Sequence, residues 1–335
     1  MKILHAPKNT ASLPWLISRA QRKLGHQSDL LTMSWQPYVM GIPEYNFGIY
    51  TTPRLLRPFV RIGHSAAFLP KLLRDYDVVH YHSETLLPDM LDVQMLRKLS
   101  KGTKIIFHFS GGDIRSEKNS PKSWRQDPKA YREKKKLIAN ARKYGDALCV
   151  FGPDLLDEVP EAHVIPIALD ASEWQYPKEY RKPERDEIVI LHAPTRRAAW
   201  GTDEVETAVR KLQKEGHPVV LRVVENVPRS EVKSHYLDVD IAVDNVGIGW
   251  YGVFAGELML LGKPVLSNLR EDLRHHVPGC PIVGINSETL VDELRVLLED
   301  GKQRRDLGRK GKQFATRFHD SIKVARKINK IYEEA

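Results

Sequence analysis

The sequence predicts an α/β fold of two Rossmann-like domains, each a doubly wound parallel sheet, and three observations carry that expectation. The chain has 335 residues, enough for two domains of about 150 residues each. Short β-branched runs alternate with longer helical stretches along it, the pattern of βαβ units. That alternation stops in a charged, proline-bearing stretch at 171–187 and restarts with EIVILH at 187–192. The expected division is an N-terminal domain over 1–167, a linker over 168–187, a C-terminal domain over 188–310 and a final helical region over 311–335.

In the first half, KILH at 2–5 reads as a first strand rather than as the apolar segment of an export signal. A helix over 13–24 ends at Gly25, a residue suited to the left-handed position past a helix end. A strand follows at 28–32, then an aromatic irregular stretch over 33–53. Residues 54–74 are basic and amphipathic: Arg54, Arg57, Arg61, Lys71 and Arg74 accompany Leu55, Leu56, Phe59 and Ile62. Such a segment suits an anionic membrane surface, although Gly63 and Pro70 are expected to interrupt it. Strands at 77–81 and 104–109 end in His82 and in His108-Phe-Ser-Gly-Gly-Asp-Ile-Arg115. Ligands of open α/β sheets bind beyond the carboxyl ends of strands, which makes these residues candidates. A polar loop over 116–127, a basic helix over 128–144 and strands at 147–151 and 163–166 complete the half.

The second half is organised around VDIAVDNVGIGWYGVFAGELMLLGKPVLS at 239–267. It reads as strand, glycine turn, helix and strand, and a helix N-terminus behind a glycine turn is a ready anion site. Gly247-Ile-Gly-Trp-Tyr-Gly252 matches the dinucleotide fingerprint G-x-G-x-x-G. That fingerprint normally opens the first βαβ unit of a domain, whereas this one lies deep in the second half. Before it come a helix over 203–215 begun by Thr202, a strand at 218–224 and a short helix at 229–236. Helices at 287–298 and within 304–335 follow it.

Gly252, Glu257, Gly262, Pro264 and Val265 stand as in the nucleotide-sugar site of retaining GT-B glycosyltransferases of the GT4 type. The chain resembles that family in element order over nearly its whole length. The resemblance implies a GT-B fold with two domains facing a cleft, and a retaining transfer of sugar from a nucleoside-diphosphate sugar to a hydroxyl. It implies no metal and no cofactor beyond that donor. His108, Arg196 and Glu257 would be the catalytic set, with His108 facing the donor sugar and Glu257 on the ribose hydroxyls. Arg197, Asp244, Asn245, Gly249, Tyr251, Gly252 and Val253 would line the donor. Asn9, His82, Gly112, Asp113 and Arg115 would face the acceptor. Two positions depart from the family pattern: its first motif glutamate falls on Gly249, and its loop lysine on Trp200. A catalytically silent GT-B scaffold and a GT-B sugar-nucleotide epimerase therefore stand as alternatives.

Composition narrows the setting. No apolar run approaches the roughly 18 residues of a membrane span. Cys149 and Cys280 are too few and too far apart for a disulfide framework or a metal cluster, which fits a reducing cytoplasm. Residues 1–167 carry 25 Lys+Arg against 16 Asp+Glu, while 168–335 carry 27 of each, so the whole excess charge of +9 sits in the first half. That asymmetry points to an anionic partner. No nucleic-acid recognition motif is present, and the expected partner is a glycan or lipid-linked acceptor, with the protein peripheral at the inner face of a membrane.

Overall fold

The computed structural model describes residues 1–35, 38–100, 102–115 and 128–335; the polar loop expected at 116–127 lies outside them. The described residues of 1–168, together with 321–335, form one compact unit, and residues 169–320 form the other.

The first unit is built on a seven-stranded sheet. Its strands are β1 (Lys2–Ala6), β2 (Gln27–Thr32), β3 (Tyr45–Asn46), β4 (Val78–His82), β5 (Lys104–Phe109), β6 (Ala147–Val150) and β7 (His163–Val164). They pair in parallel in the order β3-β2-β1-β4-β5-β6-β7. The order reverses between β1 and β4, the topological switch where such sheets bind ligands. A parallel sheet is covered on both faces, so its strands are buried throughout rather than alternately; all five residues of β4 are buried. One face holds Leu4, Val79, Tyr81, Phe107 and Phe109 against α2 (Arg57–Asp75), α3 (Leu91–Leu99) and α4 (Pro128–Tyr144). On the other, α1 (Leu13–Lys23) packs with the C-terminal helix α11 (Ser321–Glu334).

Two expectations need correction here. Gly63 and Pro70 do not break the basic segment, because α2 runs through both. Pro70 and Ala66, whose carbonyl the proline leaves unbonded, both lie exposed, so water can take the lost bond. The return of the chain to the first unit begins at Ser321, later than expected, since the preceding helix α10 (Gly301–Phe318) stays with the second unit.

The second unit has five strands, β8 (Ile188–His192), β9 (Val219–Val223), β10 (Ile241–Val243), β11 (Val265–Ser267) and β12 (Val283–Gly284), in the order β12-β11-β10-β8-β9. Its switch falls between β8 and β10. The apolar faces of α6 (Thr202–Lys214) and α9 (Leu290–Glu299) pack on Ile190, Ile241, Val243 and Leu266. Helix α10 lies close to α8 (Val253–Leu260). Gly308 makes that approach feasible, since a Cβ there would stand 2.0 Å from the carbonyl of Gly262. The stretch expected as a linker is partly built into this unit: Trp174 is buried and stacks on Tyr236. Among the described residues no helix is long and apolar enough to cross a membrane.

Candidate functional site

In the second unit the loop after β8 and the loop after β10 meet at the switch. The second loop, 244–252, is shaped by two buried side chains. Asp244 Oδ2 accepts from the amide of Gly252 at 2.9 Å and from Ser267 Oγ at 3.1 Å. Asn245 donates to the Trp250 carbonyl at 3.0 Å and accepts from the amide of Ile248 at 2.9 Å. Burial pushes the Asp244 carboxyl above its ordinary range, and these donors pull it back. Both residues, expected to line the donor, hold the turn with their polar groups.

The turn explains the first departure from the family pattern. Gly249 has φ +91°, a left-handed conformation strained for any L side chain, and a Cβ there would lie 3.0 Å from Arg270 Cδ. Arg270 in turn bonds its amide to the Gly249 carbonyl at 3.0 Å. A glutamate at 249 would therefore be strained, and an arginine stands beside the turn. Arg270 follows β11 by three residues, so the strand-end rule that flagged His82 and His108 also reaches it.

Helix α8 starts at Val253 with Gly252 as its extended N-cap, no side-chain cap and no acid in its first turn. Its first amides have no intrahelical acceptor, and the helix dipole adds partial positive charge there. The loop after β8 lies against this turn: the amide of Val246 donates to the Trp200 carbonyl at 3.2 Å. Gly201 permits the contact, since a Cβ there would meet Val246 Cβ at 2.7 Å. Arg196 and Arg197 stand exposed in that loop, at the start of α5 (Arg197–Trp200). Arg197 is held by the carboxylates of Glu206 and Glu225.

Glu257, expected on the ribose, is only 1% exposed. Its Oε1 takes Arg229 Nη2 at 2.5 Å. Burial raises its carboxyl above the ordinary range and the guanidinium opposes that shift. Arg229 heads α7 (Arg229–Tyr236) and also lies over the Trp174 ring, 5.0 Å from its centroid. Nothing in the sequence marks Arg229 as the partner, because the pair joins two helices. Tyr251 is buried too, with its hydroxyl 3.0 Å from His319 Nε2.

In the first unit the expected acceptor residues divide. Asn9 lines a pocket of about 250 Å³ at the strand ends, with Lys8, Thr32, Trp35, Tyr50 and Glu84. Gly112 is exposed, whereas Asp113 accepts from the amides of Ser110 and Gly111 and so closes its own turn. Arg115 is buried in an ion pair with Asp154. His82 and His108 are fully buried. His108 stacks on Phe151 with ring centroids 3.7 Å apart and shares a hydrogen bond with His80 at 3.2 Å. That burial leaves neither ring open to solvent. Desolvation holds His82 and His108 well below the ordinary histidine range, so both are neutral.

No protein-family model and no curated protein matches the chain. Solved structures do. The crystal structure of HepE from Anabaena in complex with UDP aligns over 100% of both chains at 12% identity, with a TM-score of 0.63. Sucrose-phosphate synthase from Thermosynechococcus elongatus aligns over 100% of this chain and 99% of its own at 14% identity, with a TM-score of 0.64. The complex of S. aureus MnaA with UDP aligns over 100% and 97% at 13% identity, with a TM-score of 0.58. At such identities the likeness is one of architecture, and two parallel α/β units matched over their full length give this chain the GT-B fold.

Proposed function

We propose that this chain is a GT4-like, retaining glycosyltransferase that moves a sugar from a nucleoside-diphosphate sugar to a hydroxyl of a glycan or lipid-linked acceptor. The observation that carries the reading is the uncapped N-terminus of α8 behind the Gly249–Gly252 turn, at the switch of the second sheet. As the glycosidic bond to the donor breaks, negative charge builds on the departing diphosphate. Preorganised amides and cations aimed at that charge lower the barrier. The first amides of α8, with Arg196 and Arg270, supply them, so the proposed transfer needs no metal at the diphosphate. Glu257 positions Arg229 in the wall behind the turn. HepE has been solved with UDP and with UDP-glucose, and MnaA with UDP, which supports a uridine donor for the same architecture. Acceptor binding is assigned to the pocket around Asn9, where Trp35 and Tyr50 offer faces for a sugar ring and Lys8 and Glu84 offer hydrogen bonds.

A silent GT-B scaffold is the competing reading, favoured by Gly249 and Trp200 in place of the family's acid and base. One experiment addresses both. A thermal-shift panel of UDP, GDP, ADP, dTDP and their sugars should show one base that stabilises the wild type, by about 2.7 kcal/mol at a hundred times its Kd. Arg196→Ala should lose most of that shift, and hydrolysis or transfer of the stabilising sugar nucleotide should follow on adding sugar acceptors. Stabilisation by a nicotinamide cofactor alone would overturn the reading. Binding without turnover across acceptors would select the scaffold.

A further inference from the structure

We propose that the first unit holds a structural transition-metal ion of the zinc class on His5, His80 and His82. These residues lie 75 and 77 positions apart from His5 in sequence, and the sheet brings them together. β1 pairs with β4 so that His5 stands opposite His80, and His82 follows two residues on, on the same face. One ring nitrogen from each lies within 4.8 Å of the other two. His5 Nδ1 and His82 Nε2 are 2.9 Å apart. Zinc bound tetrahedrally at about 2.0–2.1 Å from each imidazole needs nitrogens roughly 3.4 Å apart. The three side chains already stand close to that arrangement.

Two of the three histidines, His5 and His80, have the outer partner that a metal-binding histidine requires. Gln21 Oε1 accepts from His5 Nε2 at 2.8 Å, and Gln21 is itself fixed by Ser28 Oγ at 2.8 Å and Asn329 Oδ1 at 2.9 Å. That fixes the His5 tautomer, leaving the Nδ1 lone pair facing His82. Tyr332 Oη bonds His80 Nδ1 at 2.5 Å, which turns the other nitrogen of His80 toward the histidine cluster. Helix α1 supplies Gln21, α11 supplies Asn329 and Tyr332, and β2 supplies Ser28.

The protein alone leaves the cluster incomplete. His5, His80, His82 and the flanking His108 are all 0% exposed. A neutral imidazole has one donor and one acceptor. The chain Gln21–His5–His82 ends at His82 Nδ1, and the chain Tyr332–His80–His108 ends at His108 Nε2; neither atom has a partner. Unpaired polar atoms at full burial are rare, and these two show that the protein's own groups leave the cluster's hydrogen bonding unsatisfied. An imidazole-only donor set selects zinc, nickel or copper over magnesium and calcium, which demand oxygen. With all three histidines sealed from solvent no substrate reaches the ion, so its role is structural. The inference is independent of the sugar-transfer reading.

The test uses the full, untagged chain stripped with EDTA and titrated with Zn²⁺ and with Co²⁺. One equivalent should stay bound through gel filtration, the melting temperature should rise, and Co²⁺ should give visible d–d bands. His5→Gln and His82→Gln should each weaken binding at least tenfold. His275→Ala with His276→Ala, which removes a pair of adjacent histidines in the second unit, should leave it unchanged. X-ray absorption on the zinc-loaded wild type needs no variant, and should show imidazole nitrogen at about 2.0–2.1 Å. The proposal is overturned by a stripped protein that takes up no equivalent, by binding indifferent to His5→Gln and His82→Gln, by loss in the second-unit variant, or by an oxygen-only ligand set.

Discussion

Glu257 and Arg229 show how one side chain's fate is set by its neighbours. A carboxylate in the middle of a helix reads as a ligand contact in the sequence, yet here it lies buried against a guanidinium whose side chain is 18% exposed. Removing one partner of such a pair strands the other charge, at a cost of about 3–5 kcal/mol. Glu257→Gln keeps the shape and removes the charge. We expect it to destabilise the protein by about 3 kcal/mol, the low end of that range, because Arg229 keeps the Trp174 face and some solvent. Glu257→Gln combined with Arg229→Met should recover part of the loss. Denaturant midpoints of the two variants decide it, and a stable Glu257→Gln protein would mean the pair is not formed in solution. Gly249 carries the complementary lesson: a positive φ and the neighbouring Arg270 side chain both favour glycine there.

At the scale of elements, what the sequence could and could not say follows from what each signal measures. Apolar runs between glycine and proline turns located nearly every strand, because strand burial is written locally. The strand-end rule located the switch regions. Periodicity did not reveal that α2 survives Pro70, since that depends on whether Ala66 faces water. It did not find the break between α10 and α11 inside a continuous basic stretch. The histidine cluster was invisible for a different reason: strand order, not spacing, joins residues 5, 80 and 82. Element α2 also carries a prediction. Leu55 (88% exposed) and Leu56 (52%) just before it and Phe59 (72%) and Ile62 (46%) in its first turns are exposed apolar side chains, in a half of the chain with 25 Lys+Arg against 16 Asp+Glu. Burying an apolar side chain of this size in a lipid interface is worth about 1.5–3 kcal/mol, and each cation near an anionic surface about 1 kcal/mol. Sedimentation with vesicles rich in anionic lipid should therefore capture the protein at low salt and release much of it at high salt. Leu55→Glu with Phe59→Glu should weaken capture by roughly a hundredfold, equivalent to about 3 kcal/mol. Salt-insensitive or variant-insensitive sedimentation would remove the membrane from the proposal.

At the scale of the molecule, the first unit is not contiguous in the chain: its last helix arrives after the whole second unit has been made. Helix α11 buries Val324, Ala325, Ile328, Ile331 and Tyr332. It also supplies Asn329 and Tyr332 to the hydrogen bonds that hold Gln21 and His80, and Lys104 Nζ donates to the Tyr332 carbonyl at 2.5 Å. Three of those side chains (Ile328, Ile331 and Tyr332) at about 1.5–3 kcal/mol each already approach the roughly 5–15 kcal/mol by which a whole domain is stable. Deleting 321–335 should therefore unfold the first unit, while the second, with its own core of Ile190, Val209, Leu266 and Leu294, stays folded. Hydrogen exchange read by mass spectrometry separates the two outcomes. Peptides from β1, β4 and β5 should lose protection in the truncated chain, whereas those from β8, β10 and β11 should keep it. Equal loss in both sets would mean that the units fold as one cooperative body. Retained protection in β1, β4 and β5 would mean that α1 and the sheet hold together without α11, and that the burial counted for that helix contributes little to the unit's stability.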